Sequence, residues 1–284
     1  MKNLLSFCCL SLCFLFACQS PQYVSQTAPN SGQFPFANWH QVSDGLYAYR
    51  YELDNIGYKE FLAASPNACR PDSNAWSKIE ASVDPFKETY FNHPAFNQYP
   101  VVNISHECAE AYCAWLTERY HEMRKRPFQR VVFRLPTEVE WEAAARGANT
   151  EAVFPWEPEI PSYLNSPLQD KKGRYRANFL AVSQVAIKSV GAAGEIEISP
   201  EVSELRRAGY DMYTFMAPVE SFAPNTLGLY NLAGNVAEMV QEDDRSKGGS
   251  WYQTAYYLQI DKSAEFSGSS PFVGFRPFME VIED

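Results

Sequence analysis

Apolar and polar positions divide the chain into three stretches: an apolar opening, a polar stretch without period, and a long aromatic-rich remainder. Leu4 to Phe16 is uncharged and follows Lys2, the layout of an export signal, and it is too short to cross a bilayer as a helix. Gln19 to about Gln33 is rich in Gln, Ser and Pro and reads as a flexible tether. Leu46 to Leu53 then alternates as a strand does, and Asp54 and Asn55 are helix-initiating residues for a short helix through Tyr58, Phe61 and Leu62. Ser105 is placed to cap a second helix. Its Cys108, Ala111, Tyr112, Trp115 and Leu116 fall on one face at i, i+3, i+4, i+7, i+8. Val131 to Leu135 reads as a strand. Thr137 with Glu140 forms a capping box for a helix through Trp141 to Arg146, which Gly147 ends. Beyond it the chain is turn-rich, and residues 180–209 read as a surface insertion. The pattern gives one α+β domain over residues 34–284.

Composition narrows the function classes. The 284 residues carry a net charge of −10 at a pI near 5.0, so nothing neutralises phosphates and nucleic acid is excluded as a partner. Of seven cysteines, Cys8, Cys9, Cys13 and Cys18 lie in the opening segment. That segment ends Leu15-Phe16-Ala17-Cys18, which resembles a bacterial lipobox. Cleavage before Cys18 makes residues 1–17 a signal peptide and 18–33 a lipidated cysteine with its tether, and anchors the protein to a membrane. A plain signal peptide cut at a nearby small residue is the alternative. Gln19, rather than Asp, follows Cys18, which favours the outer membrane of the cell envelope.

Cys69, Cys108 and Cys113 remain, and an odd count allows at most one bridge. Cys108 and Cys113 on one helix stand about 8–9 Å apart and point about 140° apart, which forbids a mutual disulfide or chelation. Both read as small apolar core residues. Cys69 lies in a Pro/Asn-rich loop. His40, His93, His106 and His121 show no paired ligand spacing and read as structural, and Glu138, Glu140 and Glu142 suit a helix N-terminus.

Three stretches are specific in combination. One runs Pro100-Val-Val-Asn-Ile-Ser-His-Glu-Cys-Ala-Glu-Ala-Tyr-Cys-Ala-Trp-Leu116. The next is Arg134-Leu-Pro-Thr-Glu-Val-Glu-Trp-Glu-Ala-Ala-Ala-Arg-Gly147 with Phe154-Pro-Trp156. The last is Gly228-Leu-Tyr-Asn-Leu-Ala-Gly-Asn-Val-Ala-Glu238 with Lys247-Gly-Gly-Ser-Trp251 and Gly274-Phe-Arg276. Together with Glu52-Leu-Asp-Asn55 they resemble the formylglycine-generating enzyme, or sulfatase-modifying factor, family. The resemblance implies a C-type-lectin-like α+β fold, low in regular structure and organised partly by bound Ca²⁺. It maps one calcium site to Asn231, Gly234, Val236 and Glu238, whose hard oxygen donors suit that ion, while turn-capping is the alternative role for Asn231 and Glu238. A second site maps to Asn178 and Phe179 with Asp211 and Tyr213.

The enzymes of that family oxidise a substrate cysteine with O₂ through a copper-binding cysteine pair near the C-terminus. The corresponding stretch here, Trp251 to Phe266, has no cysteine, so no copper is expected. Trp251, Tyr252, Tyr256, Tyr257, Asp261 and Lys262 offer a possible cleft instead. The lipobox, the missing cysteine pair and the Asn235-Val-Ala-Glu238 wording together resemble the gliding-motility lipoproteins of type IX secretion. The expectation is a non-catalytic, lipid-anchored scaffold or binding protein with envelope protein partners. A metal- or cofactor-dependent oxidase using a cysteine-free cleft is the alternative.

Overall fold

The computed structural model describes residues 34–79, 84–156, 168–180, 187–190, 196–198 and 215–284. Cys18, the tether, Asp211, Tyr213 and most of the 180–209 insertion lie outside the described residues. Among the described residues, three small sheets and four α-helices make up most of the regular structure. An antiparallel sheet holds β1 (Trp39–Ser43), β2 (Leu46–Tyr49), β3 (Arg130–Arg134) and the C-terminal β10 (Phe278–Glu283) in the order β1-β2-β10-β3. A hairpin of β4 (Ile187–Val190) and β5 (Ile196–Ile198) stands as its own pair within the insertion. The second four-stranded sheet runs β8 (Ser263–Glu265), β7 (Arg245–Lys247), β6 (Ala237–Met239), β9 (Val273–Gly274), with β6 and β9 parallel.

The helices begin where side chains can answer their orphan N–H groups. In α1 (Asn55–Ala64) the Asp54 carboxylate accepts from Gly57 N–H at 2.9 Å. A short α2 spans Asp84–Thr89. In α3 (His106–Glu122) Ser105 accepts from Cys108 N–H, and α4 (Glu138–Arg146) carries the full Thr137/Glu140 capping box. The buried face of α3 is Cys108, Ala109, Tyr112, Cys113, Trp115, Leu116 and Tyr120. Ala111, expected inside, is exposed, because the face that meets the sheet is rotated toward Ala109 and Cys113.

Helix α3 also protects the sheet. On the edge strand β3, Val131 and Phe133 point inward and Arg130 and Val132 outward. The outward-facing backbone of that edge is not left free: Val131 N–H donates to His121 Nε2 at 3.3 Å and Phe133 N–H to Thr117 Oγ1 at 2.9 Å. Two helix side chains thus occupy donors that would otherwise template another strand. Phe34 closes the same core, edge-on to Tyr120 at 4.9 Å and beside Trp39 and Phe133.

The cysteine expectation needs correcting. Cys69 and Cys108 form a disulfide with Cα atoms 5.8 Å apart, so Cys108 is not a plain core residue and Cys69 is not without a role. The helical spacing decides only the local pair Cys108–Cys113; the loop after α1 brings in the partner. The Tyr58 hydroxyl donates to the Cys69 carbonyl at 2.8 Å and holds that loop against α3. Cys113 is free and buried, and burial pushes its thiol far above the ordinary range.

The acidic face of α4 is an ion-pair seam rather than a bare helix end. Glu140 takes Arg134 in a bidentate pair at 2.7 Å, and Arg134 also reaches Glu280 at 2.7 Å. Glu142 accepts from the fully buried Lys247 at 2.8 Å, and Glu138 pairs with Arg245. These contacts tie α4 to both sheets.

Candidate functional site

The loop of residues 228–238 coils tightly between the two sheets. Gly228, Asn231, Gly234 and Asn235 all have positive φ. At Gly234 the reason is steric as well as torsional: a Cβ there would sit 2.3 Å from the Asn178 carbonyl oxygen. That carbonyl accepts from Asn235 N–H at 2.7 Å, and the Asn178 amide donates to Phe215 O at 2.7 Å. Asn235 in turn accepts from Ala217 N–H at 2.7 Å and donates to Ala217 O at 3.1 Å. Asn178, the 215–217 strip and the loop are thereby laced into one buried polar centre.

Two carboxylates sit inside it. Glu52, fully buried, accepts from Asn231 Nδ2 at 2.9 Å, Asn235 Nδ2 at 2.8 Å and Val236 N–H at 3.1 Å. Burial and the nearby Glu238 still push its carboxyl up to about 8. Glu238 is answered by a cation: Arg276 Nη2 lies 2.6 Å from Oε1, Arg276 Nε is 3.2 Å from Oε1 and 3.1 Å from Oε2, and Trp141 Nε1–H donates to Oε2 at 2.7 Å. Arg276 also donates from Nη1 to the Tyr49 carbonyl at 2.8 Å and from Nη2 to the Tyr230 carbonyl at 2.6 Å.

This geometry divides the calcium assignments. Asn231 Oδ1 and Asn178 Oδ1 are buried acceptors with no hydrogen-bond donor, the condition an oxygen-seeking cation would satisfy. Gly234 and Val236 share the 228–238 loop with Asn231, and Phe179 follows Asn178 in the buried wall. Asp211 and Tyr213 lie outside the described residues. Glu238 does not fit: both of its oxygens are engaged, and the partner at 2.6 Å is a guanidinium that would repel Ca²⁺. The donors suited to the ion are amide oxygens, and Glu238 belongs to the ion pair.

A shallow, open depression lies against the centre, with Asn231 on its wall alongside Pro155, Trp156, Arg176, Phe222 and Leu232. Phe154 and Trp156 stack with ring centroids 5.2 Å apart, and Arg176 Nε is held by Gln169 O at 3.1 Å. The six residues expected to form a cleft line no part of this one. Trp251 and Tyr252 pack with Phe272 in the core, Tyr252 stacking on it at 4.8 Å. Tyr256, Tyr257, Asp261 and Lys262 group apart from them, with Lys262 paired to Asp261 at 3.0 Å and lying over the Tyr256 ring.

Sequence reasoning missed Glu52 and Arg276 as the hubs of this centre. For Arg276 a signal was present: it is a lone charge in an aromatic and apolar run, the mark of a buried, paired group, whereas Glu52 stands between Arg50 and Asp54 and gives none. Three of the four histidines take structural positions. His93 caps Ala95 N–H, His121 accepts from β3, and His40 packs under Gly228.

A family model described as the sulfatase-modifying factor enzyme 1-like domain matches residues 26–281. The chain is 35% identical over 140 residues to the formylglycine-generating enzyme of Thermomonospora curvata, covering 49% of this chain and 32% of that protein. It is 30% identical over 226 residues to the formylglycine-generating enzyme of Mus musculus, covering 70% and 49%. It is also 30% identical over 167 residues to the inactive C-alpha-formylglycine-generating enzyme 2 of Bos taurus, covering 56% and 40%. The chain spans about a third to a half of the length of these relatives. Among solved structures, PvdO from Pseudomonas aeruginosa shares the fold at a TM-score of 0.51 and 20% identity, covering 83% of this chain and 80% of that one.

Proposed function

The chain belongs to the sulfatase-modifying factor enzyme 1-like family, and we propose that it is a non-catalytic member, a lipid-anchored scaffold or binding protein of the bacterial cell envelope. One observation carries the reading: no cysteine of the domain is available as a thiolate. The stretch from Trp251 to Phe266 contains none, Cys69 and Cys108 are consumed by a disulfide, and Cys113 is buried and held protonated. Copper-thiolate oxidation of a substrate cysteine lacks its ligands here. The likeness to relatives named inactive agrees with this.

The disulfide also supports export, since such bridges persist in oxidising compartments. Cys18 would carry the lipid, residues 19–33 would space the domain from the membrane, and the partners would be envelope proteins of the gliding-motility or type IX secretion kind. Calcium would be structural, held by Asn231 with the loop carbonyls of Gly234 and Val236, and by Asn178 and Phe179 with Asp211 and Tyr213. Two buried acceptors without donors support those positions.

The test is a Cu(I) titration of the reduced and oxidised protein, with O₂ uptake measured on a cysteine-containing peptide. No stoichiometric copper and no uptake are expected. Turnover with bound copper overturns the proposal and favours an oxidase. Palmitate labelling of the expressed chain, abolished by Cys18→Ala, tests the anchor.

A further inference from the structure

We infer that the loop after α3, where the chain enters the domain, is a docking surface for anionic phospholipid that orients the domain on its membrane. The inference takes from the anchor reading only that a membrane is near. Between Met123 and Thr137 the chain carries Arg124, Lys125, Arg126, Arg130 and Arg134 and no Asp or Glu. Arg134 is held by Glu140 and Glu280. The other four are exposed, and none has a carboxylate in ion-pair reach among the described residues. Arg126 bonds the carbonyls of His121, Met123 and Gln129, which fixes the loop but leaves its charge uncancelled. The acids closest in the fold do not answer these cations. Glu122 is taken by Arg119, and Glu283, across from Arg130 in the β3–β10 ladder, makes no ion pair with it.

The position of the loop is what points to a membrane. Phe34 N–H donates to the Lys125 carbonyl at 3.5 Å, so the chain arriving from Cys18 meets the domain at the cationic loop itself. Residues 19–33 contain no charged residue that could cancel the cations. As a flexible coil they would span on the order of 20 Å, which keeps this loop nearest the anchor. Beside it three half-buried rings meet: Phe36, Tyr47 and Phe128, with centroids 5.3, 5.6 and 5.7 Å apart. Rings rimmed by cations suit a bilayer interface, where aromatic groups settle at headgroup level and Lys and Arg meet the phosphates. The net charge of −10 conceals this face. Such a chain is repelled by an anionic bilayer as a whole and lies down on one only where cations are gathered. Screening limits the attraction to about 8–10 Å from the surface, so the charges nearest the bilayer decide it.

The experiment is vesicle co-sedimentation of the unlipidated chain from Gln19 to Asp284, which keeps every described residue of the fold. It reads the surface without the anchor, so palmitate labelling at Cys18 can fail while this succeeds, and the reverse. Vesicles of phosphatidylethanolamine with about 30 mol % phosphatidylglycerol are compared with phosphatidylcholine. Binding to the anionic vesicles is expected to be at least about tenfold tighter, and to be lost near 1 M salt, where the Debye length is about 3 Å. Arg124→Gln/Lys125→Gln/Arg130→Gln, which spares the Arg126 bonds, is expected to bind no better than to phosphatidylcholine while melting as the wild type does. Arg70→Gln/Lys171→Gln/Lys172→Gln makes the same charge change at exposed cations of other loops and is expected to bind as the wild type does. Equal binding to the two kinds of vesicle, or equal loss in the two triple variants, overturns the proposal. So does retention of the wild-type chain by an acidic polypeptide but not by the anionic vesicles, which would make this face a protein-docking surface.

Discussion

Replacing Arg276 with methionine would strip Glu238 of its cation and leave the carbonyls of Tyr49 and Tyr230 without their donor. An uncompensated buried charge of this kind costs about 3–5 kcal/mol, so the denaturation midpoint of Arg276→Met should fall steeply. Arg276→Met with Glu238→Leu should fall less than the single change, because no buried charge is left unpaired. His40 supplies a second expectation at this scale. Burial, then the Arg50 charge, lower its pKa below 6.5, so the folded state holds the neutral ring. The unfolded chain binds the proton more readily in the window between the lowered value and 6.5. Stability from this group is therefore complete above pH 6.5 and is lost as pH falls through that window. Melting curves of wild type and His40→Gln should diverge at neutral pH and converge in mild acid. A constant difference would remove His40 from the account.

Among the elements, α4 shows how local chemistry and tertiary contact divide the work. Thr137 and Glu140 close the capping box, and the same Glu140 holds Arg134 of β3. Thr137→Ala should cost about 1 kcal/mol in urea denaturation, the usual worth of a cap. The disulfide joins α3 to the loop after α1 across 39 residues. Loop-closure entropy puts its removal at about 4 kcal/mol, so Cys69→Ser/Cys108→Ser should unfold at markedly lower denaturant. Equal midpoints for the wild-type protein with and without reductant would show that the bridge contributes nothing.

For the molecule as a whole, low regular structure is held together by a polar centre rather than by a large sheet. Asn178, the 215–217 strip, the 228–238 loop, Glu52 and Arg276 join segments from across the chain. If cations complete this centre, chelation with EGTA should lower the melting temperature by several degrees and added Ca²⁺ should restore it. Asn231→Ala and Asn178→Ala should each shrink the restored shift, read as a difference between calcium-loaded and chelated protein. A melting temperature indifferent to EGTA would end the calcium assignment.

The capped helices were legible from sequence because caps and boxes act within four residues: Asp54, Ser105 and Thr137 needed no distant partner. The strands expected over Leu46 to Leu53 and Val131 to Leu135 were legible locally as well, and they fold as β2 and β3. The family motifs marked the 228–238 loop, and the absence of cysteine between Trp251 and Phe266 is a fact of sequence alone. Tertiary structure decided the rest. Which way α3 turns its face, and so whether Ala111 or Ala109 is buried, depends on the sheet it meets. That Cys69 finds Cys108, and that Glu238 faces Arg276, follows from contacts between segments 39 and 38 residues apart. Local periodicity carries no information over such distances, because a partner's direction is fixed only when the intervening chain has folded.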